Sequence, residues 1–298
     1  MPDPAASDRA RDRIHALSVM CVLAIASVVI AVLGATPARV SSSELMGEER
    51  TPGDAAFIAS HRGGAATAPE NTLPAVTAAL EAGFDYVEVD IALTADGHPV
   101  LMHDKSVDRT TDGRGRLASL TLAEVRALDA GSWFDAVYAG TRVPTFTEFL
   151  DVLVAADARA IVELKGGWDA AAIDAAVAEV AARSLERRVV FASFDARTLA
   201  LAATESEVLS RLLILKHLPS DVVSAVAESG ARGVLVSRKA VLARPGIVDE
   251  LHAVGARVVV YTLNSDTQWD AVTALGVDGI VTDDPHTLSE WQSAYAGP

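Results

Sequence analysis

The chain has 298 residues, half of them apolar, and a formal net charge of −15. That charge excludes a general nucleic-acid-binding or polybasic membrane-binding surface, and it obliges any site for an anionic substrate to bring its own positive charge, from a metal ion or from placed Arg and Lys. A single cysteine, Cys21, excludes an internal disulfide framework.

Arg9, Arg11 and Arg13 precede a run from Ala16 to Ala38 that holds no charge. Its strongest apolar part, Val19 to Leu33, is fifteen residues. That is the upper end for a signal core and short of the ~20 residues a span requires. Cys21 precedes most of this run, which argues against a lipoprotein anchor. Residues 1–40 therefore read as an export signal or an N-terminal membrane anchor, and either puts the remainder outside the cytoplasm. Residues 41–54 are polar with Gly and Pro and read as a linker. The folded domain is expected over 55–298.

From there, short β-branched runs alternate with Ala- and Leu-rich amphipathic stretches. Strands are predicted at 57–61, 86–94, 99–103, 160–165, 189–193, 211–216, 233–237, 257–262 and 279–282. Helices are predicted at 72–82, 122–129, 145–156, 169–183, 196–204, 221–228, 245–254, 265–275 and 288–294. Strand alternating with helix implies a parallel sheet covered by helices. Nine strands is one too many for an eightfold barrel. However, only Ala95-Asp96-Gly97-His98 joins the second to the third, and Asp-Gly is a tight hairpin signal. A two-residue turn there pairs Ala95 with His98 and sets His103 opposite Asp90. Counting the hairpin as one strand gives an α/β chain with a (β/α)8 TIM barrel. Residues 104–144 form an insertion, placed where long loops shape the site.

In a parallel barrel, chemistry sits at the C-terminal ends of the strands. Those ends carry His61-Arg62, then Glu88 and Asp90, then Glu163 and Lys165. Strand alternation puts Glu88 and Asp90 on one face, and Glu163 and Lys165 on one face. Carboxylates in apolar strands are costly unless paired, and a divalent cation offsets that cost. Hard oxygen donors select Ca²⁺ or Mg²⁺ over Zn²⁺. The competing reading is a structural ion network with Arg62 and Lys165. His61 and His103 suit general acid–base transfer near neutral pH, whereas His15, His98, His217, His252 and His286 read as structural or exposed. Arg62 offers a fork of donors to phosphate and Lys165 a further contact. Gly63-Gly64 allows close backbone approach. Asn71 or Thr72 is a normal N-cap, and Glu70 can stand behind the metal site. Phe194, Tyr261 and Trp133 are candidate substrate walls.

His61-Arg62-Gly63, Pro69-Glu70-Asn71-Thr72, Glu88-Val89-Asp90, Asp96-Gly97 with Val100–Asp104, Glu163-Leu164-Lys165, Ser193-Phe194-Asp195 and Asp278–Asp283 occur in one order from Ile58 to Pro285. Together they resemble the glycerophosphodiester phosphodiesterase domain. The resemblance implies metal-dependent hydrolysis of glycerophosphodiesters to sn-glycerol 3-phosphate and an alcohol such as choline, ethanolamine or glycerol. It implies Glu88, Asp90 and Glu163 as metal ligands, His61 and His103 as acid and base in either order, and Arg62 on the phosphate. Many family members carry a Trp near the position of Tyr261. The expected partner is a small-molecule diester, with no nucleic acid and membrane contact only through the N-terminal segment. The alternative is a phospholipase D or sphingomyelinase-type enzyme of intact lipids. That needs an apolar rim, for which Trp133-Phe134 and Tyr138 are the candidates, although the charges of the insertion argue otherwise.

Overall fold

The computed structural model describes residues 46–295. The expected signal or anchor at 1–40 and the start of the expected linker lie outside the described residues. Among the described residues, no helix is long and apolar enough to cross a membrane.

Eight parallel strands close a ring in the order β1 (Phe57–Ser60), β2 (Tyr86–Leu93), β4 (Ala160–Leu164), β5 (Val189–Ser193), β6 (Ser210–Leu215), β7 (Gly233–Ser237), β8 (Arg257–Tyr261) and β9 (Gly279–Thr282), with β9 returning to β1. A short strand, β3 (Pro99–Leu101), pairs antiparallel with the far end of β2 outside the ring. This is a (β/α)8 barrel with one extra strand. The ring forms because its Val- and Ile-rich strands are buried on both faces. Inward residues such as Phe57, Tyr86, Ile161, Leu212 and Val259 fill the interior. Outward residues such as Val87, Val89 and Val162 pack under α1 (Leu73–Glu81), α3 (Phe146–Ala155) and α4 (Ala170–Ala182). Side-chain caps start these helices. Thr145 and Glu148 form a reciprocal capping box on α3, and Asp169 accepts from Ala172 N at 2.9 Å on α4.

The hairpin differs from the predicted one. Thr94 N donates to His98 O and Gly97 N to Thr94 O, so Ala95–Gly97 forms a three-residue connection with Gly97 at φ +80°. Ile91 then pairs with Leu101 and Leu93 with Pro99, one step from the expected register. Met102, not His103, stands opposite Asp90, its N–H donating to Asp90 O. The Asp96 carboxylate holds this turn, accepting from Thr94 Oγ1 at 2.6 Å and from Leu122 N, at the start of the one-turn helix α2 (Leu122–Val125). The insertion thereby grips the turn. It also has its own small core of Val100, Met102, Val107, Leu117, Val125 and Val143.

The predicted helix 245–254 is the shorter α8 (Ile247–His252), and an unpredicted α7 (Arg238–Ala243) precedes it. Residues 46–54, read as linker, are packed on the barrel. Met46 is buried in the interior cluster, Arg257 donates to Gly47 O from Nε and Nη2, and Asp278 Oδ1 accepts from Arg50 N.

Candidate active site

The first strand leads into a single tight turn, His61–Gly63. Arg62 sits there in the left-handed region at φ 53°, an uncommon conformation for a non-glycine residue. Gly63 (φ +85°) makes it possible: a Cβ at that position would lie 2.8 Å from Ala75 C and Val76 N, in the backbone of α1. The turn therefore lies directly against the helix start, and Arg62 N donates to Glu88 Oε2 at 2.9 Å.

Glu88 and Asp90 project inward from β2, and Glu163 from β4, where it pairs with Asp90 in register. The three carboxylates are buried, with oxygens within 4.8 Å of one another. Asp90 Oδ1 and Glu163 Oε1 lie at ion-pair distance from Lys165 Nζ, 3.1 and 2.7 Å, without the angle of a hydrogen bond. Lys165 meets one oxygen of each carboxylate, and the clustered oxygens of the triad remain the hard donor set a divalent cation requires. Burial, then the Asp90 charge, pushes the Glu163 carboxyl up to about 7. Glu88 is likewise raised by burial and by Asp90. Asp90 is held low despite its burial, by Lys165 and Arg62. The triad is crowded with negative charge and fits a metal ion.

Asn71 grips Asp90 from both sides, donating from Nδ2 to Oδ2 at 2.8 Å and accepting from Asp90 N at 3.0 Å. It is not the helix cap; Thr72 is. Arg62 Nη1 donates to Glu70 Oε1 at 2.7 Å, and its Nε lies 3.3 Å from Asp90 Oδ2. Glu70 also takes a bidentate grip from Arg109, at 2.7 and 2.8 Å.

The two histidines flank this cluster, each backed by a carboxylate. His61 Nδ1 donates to Asp283 Oδ1 at 2.5 Å, and Asn264 Nδ2 donates to Asp283 Oδ2 at 2.6 Å. His103 Nδ1 donates to Asp104 Oδ1 at 2.7 Å, and Arg109 Nε donates to Asp104 Oδ2 at 2.6 Å. Each ring is held through Nδ1, leaving Nε2 to the cavity. Burial works to lower the His61 pKa, but the Asp283 hydrogen bond and the Glu88 charge outweigh it, and the imidazole titrates above the ordinary 6.5. For His103 burial prevails over Asp90 and Asp104, and the ring titrates below 6.5.

His61, Arg62, Glu88, His103, Glu163 and Lys165 line a cavity of ≈180 Å³. Phe194 and Tyr261 form one wall, edge to face at 6.4 Å, and Lys165 Nζ lies 5.9 Å from the Phe194 centroid. Asp90, Asn71 and Glu70 stand behind that lining, joined to it through Arg62, whereas the predicted wall residue Trp133 takes no part. It does not line the cavity and packs edge to face against Phe134 in the insertion instead. Sequence reasoning missed Arg109, Asp104 as a positioning group, and the Asn264–Asp283 pair. The last two follow β8 and β9, so their position at strand ends was a usable signal. Arg109 sits in a polar stretch of the insertion and carried none.

The glycerophosphoryl diester phosphodiesterase family model matches residues 61–287. A glycerophosphodiester phosphodiesterase from Caldanaerobacter subterraneus subsp. tengcongensis is 30% identical over 234 residues, covering 78% of this chain and 96% of its own. The solved structure of an Oleispira antarctica phosphodiesterase in complex with the product sn-glycerol-3-phosphate has 27% identity and a TM-score of 0.72, covering 80% and 96% of the two chains. That of an Agrobacterium tumefaciens glycerophosphodiester phosphodiesterase has 28% identity and a TM-score of 0.68, covering 79% and 100%.

Proposed function

The chain belongs to the glycerophosphoryl diester phosphodiesterase family, and from that membership we propose that it hydrolyses glycerophosphodiesters to sn-glycerol 3-phosphate and an alcohol by metal-assisted acid–base catalysis with two histidines. One observation carries the mechanism: a buried carboxylate triad lies between two imidazoles, each fixed through Nδ1 by its own carboxylate.

Glu88, Asp90 and Glu163 would hold a divalent cation, Ca²⁺ or Mg²⁺ by their donor chemistry, whose contribution when bound is Lewis-acid neutralisation of the phosphate charge. Arg62 is anchored by Glu70 and Asp90, which leaves its Nη2 to a phosphate oxygen. His103, the ring neutral near pH 7, takes the proton from the attacking oxygen, which is water or the substrate's own glycerol hydroxyl. His61, whose protonated form Asp283 favours, gives a proton to the departing alcohol oxygen as the P–O bond breaks. With water as the nucleophile one water is consumed and the proton gained by His103 balances the one lost by His61; with the glycerol hydroxyl the same exchange expels the alcohol and leaves a cyclic glycerol phosphate, which one water then opens to sn-glycerol 3-phosphate with the two histidines in reversed roles. Phe194 and Tyr261 close the cavity over the glycerol carbons.

The test is release of sn-glycerol 3-phosphate from glycerophosphoglycerol by the purified chain, with and without chelator, beside Glu88→Ala and His103→Ala. Release that the chelator suppresses, and that each substitution cuts by ~10² or more, is the expected result. A folded, metal-loaded protein that cleaves no soluble glycerophosphodiester would overturn the reading and turn attention to intact lipids.

A further inference from the structure

We propose that the Tyr261 hydroxyl reads the terminal hydroxyl of the substrate's glycerol half, and so selects diesters whose glycerol is unsubstituted at that end. This rests on the phosphodiesterase reading above and narrows its substrate class.

The lining of the ≈180 Å³ cavity divides into two halves by strand. Its titratable groups other than Tyr261 come from β2 and from the segments that end or follow β1, β3 and β4. The other half comes from β5 to β9, where Phe194, Ile214, Leu235 and Val281 make it apolar. Tyr261 closes β8. In the eight-membered ring β8 stands opposite β4, four strands away in either direction, so Tyr261 faces Glu163 from across the cavity.

Val259 fills the barrel interior, and strand alternation turns Tyr261, two residues on, inward as well. Its ring meets Phe194 edge to face at 6.4 Å, which fixes its plane. Burial, then the Glu163 charge, pushes the phenol up to about 12. It is a neutral hydroxyl, and among the described residues it makes no hydrogen bond. Thr262, the other hydroxyl residue of this half, also borders the opening that contains His61, Asn264 and Asp283.

In the proposed mechanism the phosphate lies at the triad and the departing alcohol toward His61. The glycerol hydroxyl next to the ester is the one His103 can activate. The terminal hydroxyl is then the polar group left to enter the apolar half. Buried there alone, it would lose its hydrogen bonds to water without compensation. A phenol both donates and accepts, and restores one of them. A glycerol acylated at that end has no proton to give and adds bulk against Phe194 and Tyr261. The reaction that supplies this substrate must therefore be a deacylation.

The experiment compares kcat/KM for glycerophosphocholine and for propane-1,2-diol phosphocholine of the same configuration, which lacks only the terminal hydroxyl. Both are measured on the purified, metal-loaded full chain and on Tyr261→Phe. The analogue keeps the hydroxyl next to the ester, so the attacking group is not lost with it. In the native chain glycerophosphocholine should exceed the analogue by about tenfold, the scale of one buried hydrogen bond. In Tyr261→Phe the ratio should fall to about one, through a loss on glycerophosphocholine. Ratios are read within one preparation, so partial unfolding cancels. A native ratio near one, or a ratio that Tyr261→Phe leaves unchanged, overturns the proposal. Should the native chain cleave neither diester, the phosphodiesterase reading fails, and calorimetric titration decides Tyr261 by itself. Binding of sn-glycerol 3-phosphate in preference to its 1-deoxy analogue, with the preference lost in Tyr261→Phe, upholds the assignment. Equal binding, a preference that survives the substitution, or no binding overturns it.

Discussion

At the scale of single residues, the site is built from side chains that hold other side chains. Asp283 orients His61 and lifts its pKa. In the proposed mechanism the base, His103, works neutral, so activity should rise with pH through its titration below 6.5; the acid, His61, works protonated, so activity should fall through its titration above 6.5. The pH profile of kcat/KM should therefore be a bell. Asp283→Asn should cut kcat by ~10²–10⁴ and move the alkaline limb to lower pH while the acid limb stays. An alkaline limb that does not move would remove His61 from the acid role. Arg109 binds Glu70 and Asp104 at once, and so ties Arg62, through Glu70, to the His103 ring. Arg109→Met should lower kcat/KM by about 10- to 100-fold with little change in Tm. A larger loss of Tm than of activity would make the residue merely structural. The triad, both histidines and Arg62 were legible in the sequence because carboxylates and imidazoles ending apolar strands have few other uses. Arg109 was not legible, because nothing local distinguishes it from the other arginines of a polar insertion.

At the scale of elements, the His61–Gly63 turn against α1 is the tightest joint near the chemistry. Gly63→Ala would place a methyl 2.8 Å from the α1 backbone in a residue already at φ +85°. It should cost ~2 kcal/mol or more in denaturant unfolding and reduce activity through displacement of Arg62. Unchanged stability would mean that the turn can slide off the helix. The barrel itself was readable from alternation, since eight doubly buried strands must be Val- and Ile-rich. The hairpin register was not. Its turn is held by the contact of Asp96 with Leu122, 26 residues away, and a local dipeptide rule has no access to such a contact. His103 still reaches the site because the chain leaves β3 at Leu101 and bends back beyond it.

At the scale of the whole molecule, the domain begins earlier than its composition suggested. Residues 46–50 are tied to the strand starts by Arg257 and Asp278, and Asp278 also accepts from Val258 N and His252 Nε2. Arg257 is almost fully buried. Arg257→Ala should therefore lower unfolding free energy by about 3 kcal/mol, as expected when a buried charge loses its partner. Activity per folded molecule should persist. We also read the arginine-led apolar run before residue 40 as an export or anchoring signal. The mass of the mature protein from its native source would reveal whether it is removed.

Three buried carboxylates side by side would ordinarily make folding wait for an ion. In this barrel Lys165 already stands between Asp90 and Glu163, and Arg62 beside Asp90. These internal counter-charges let the ring close empty, so that folding and loading become separate events. On the metal reading proposed above, a cation added to the already folded barrel would suffice to load it, with no refolding step.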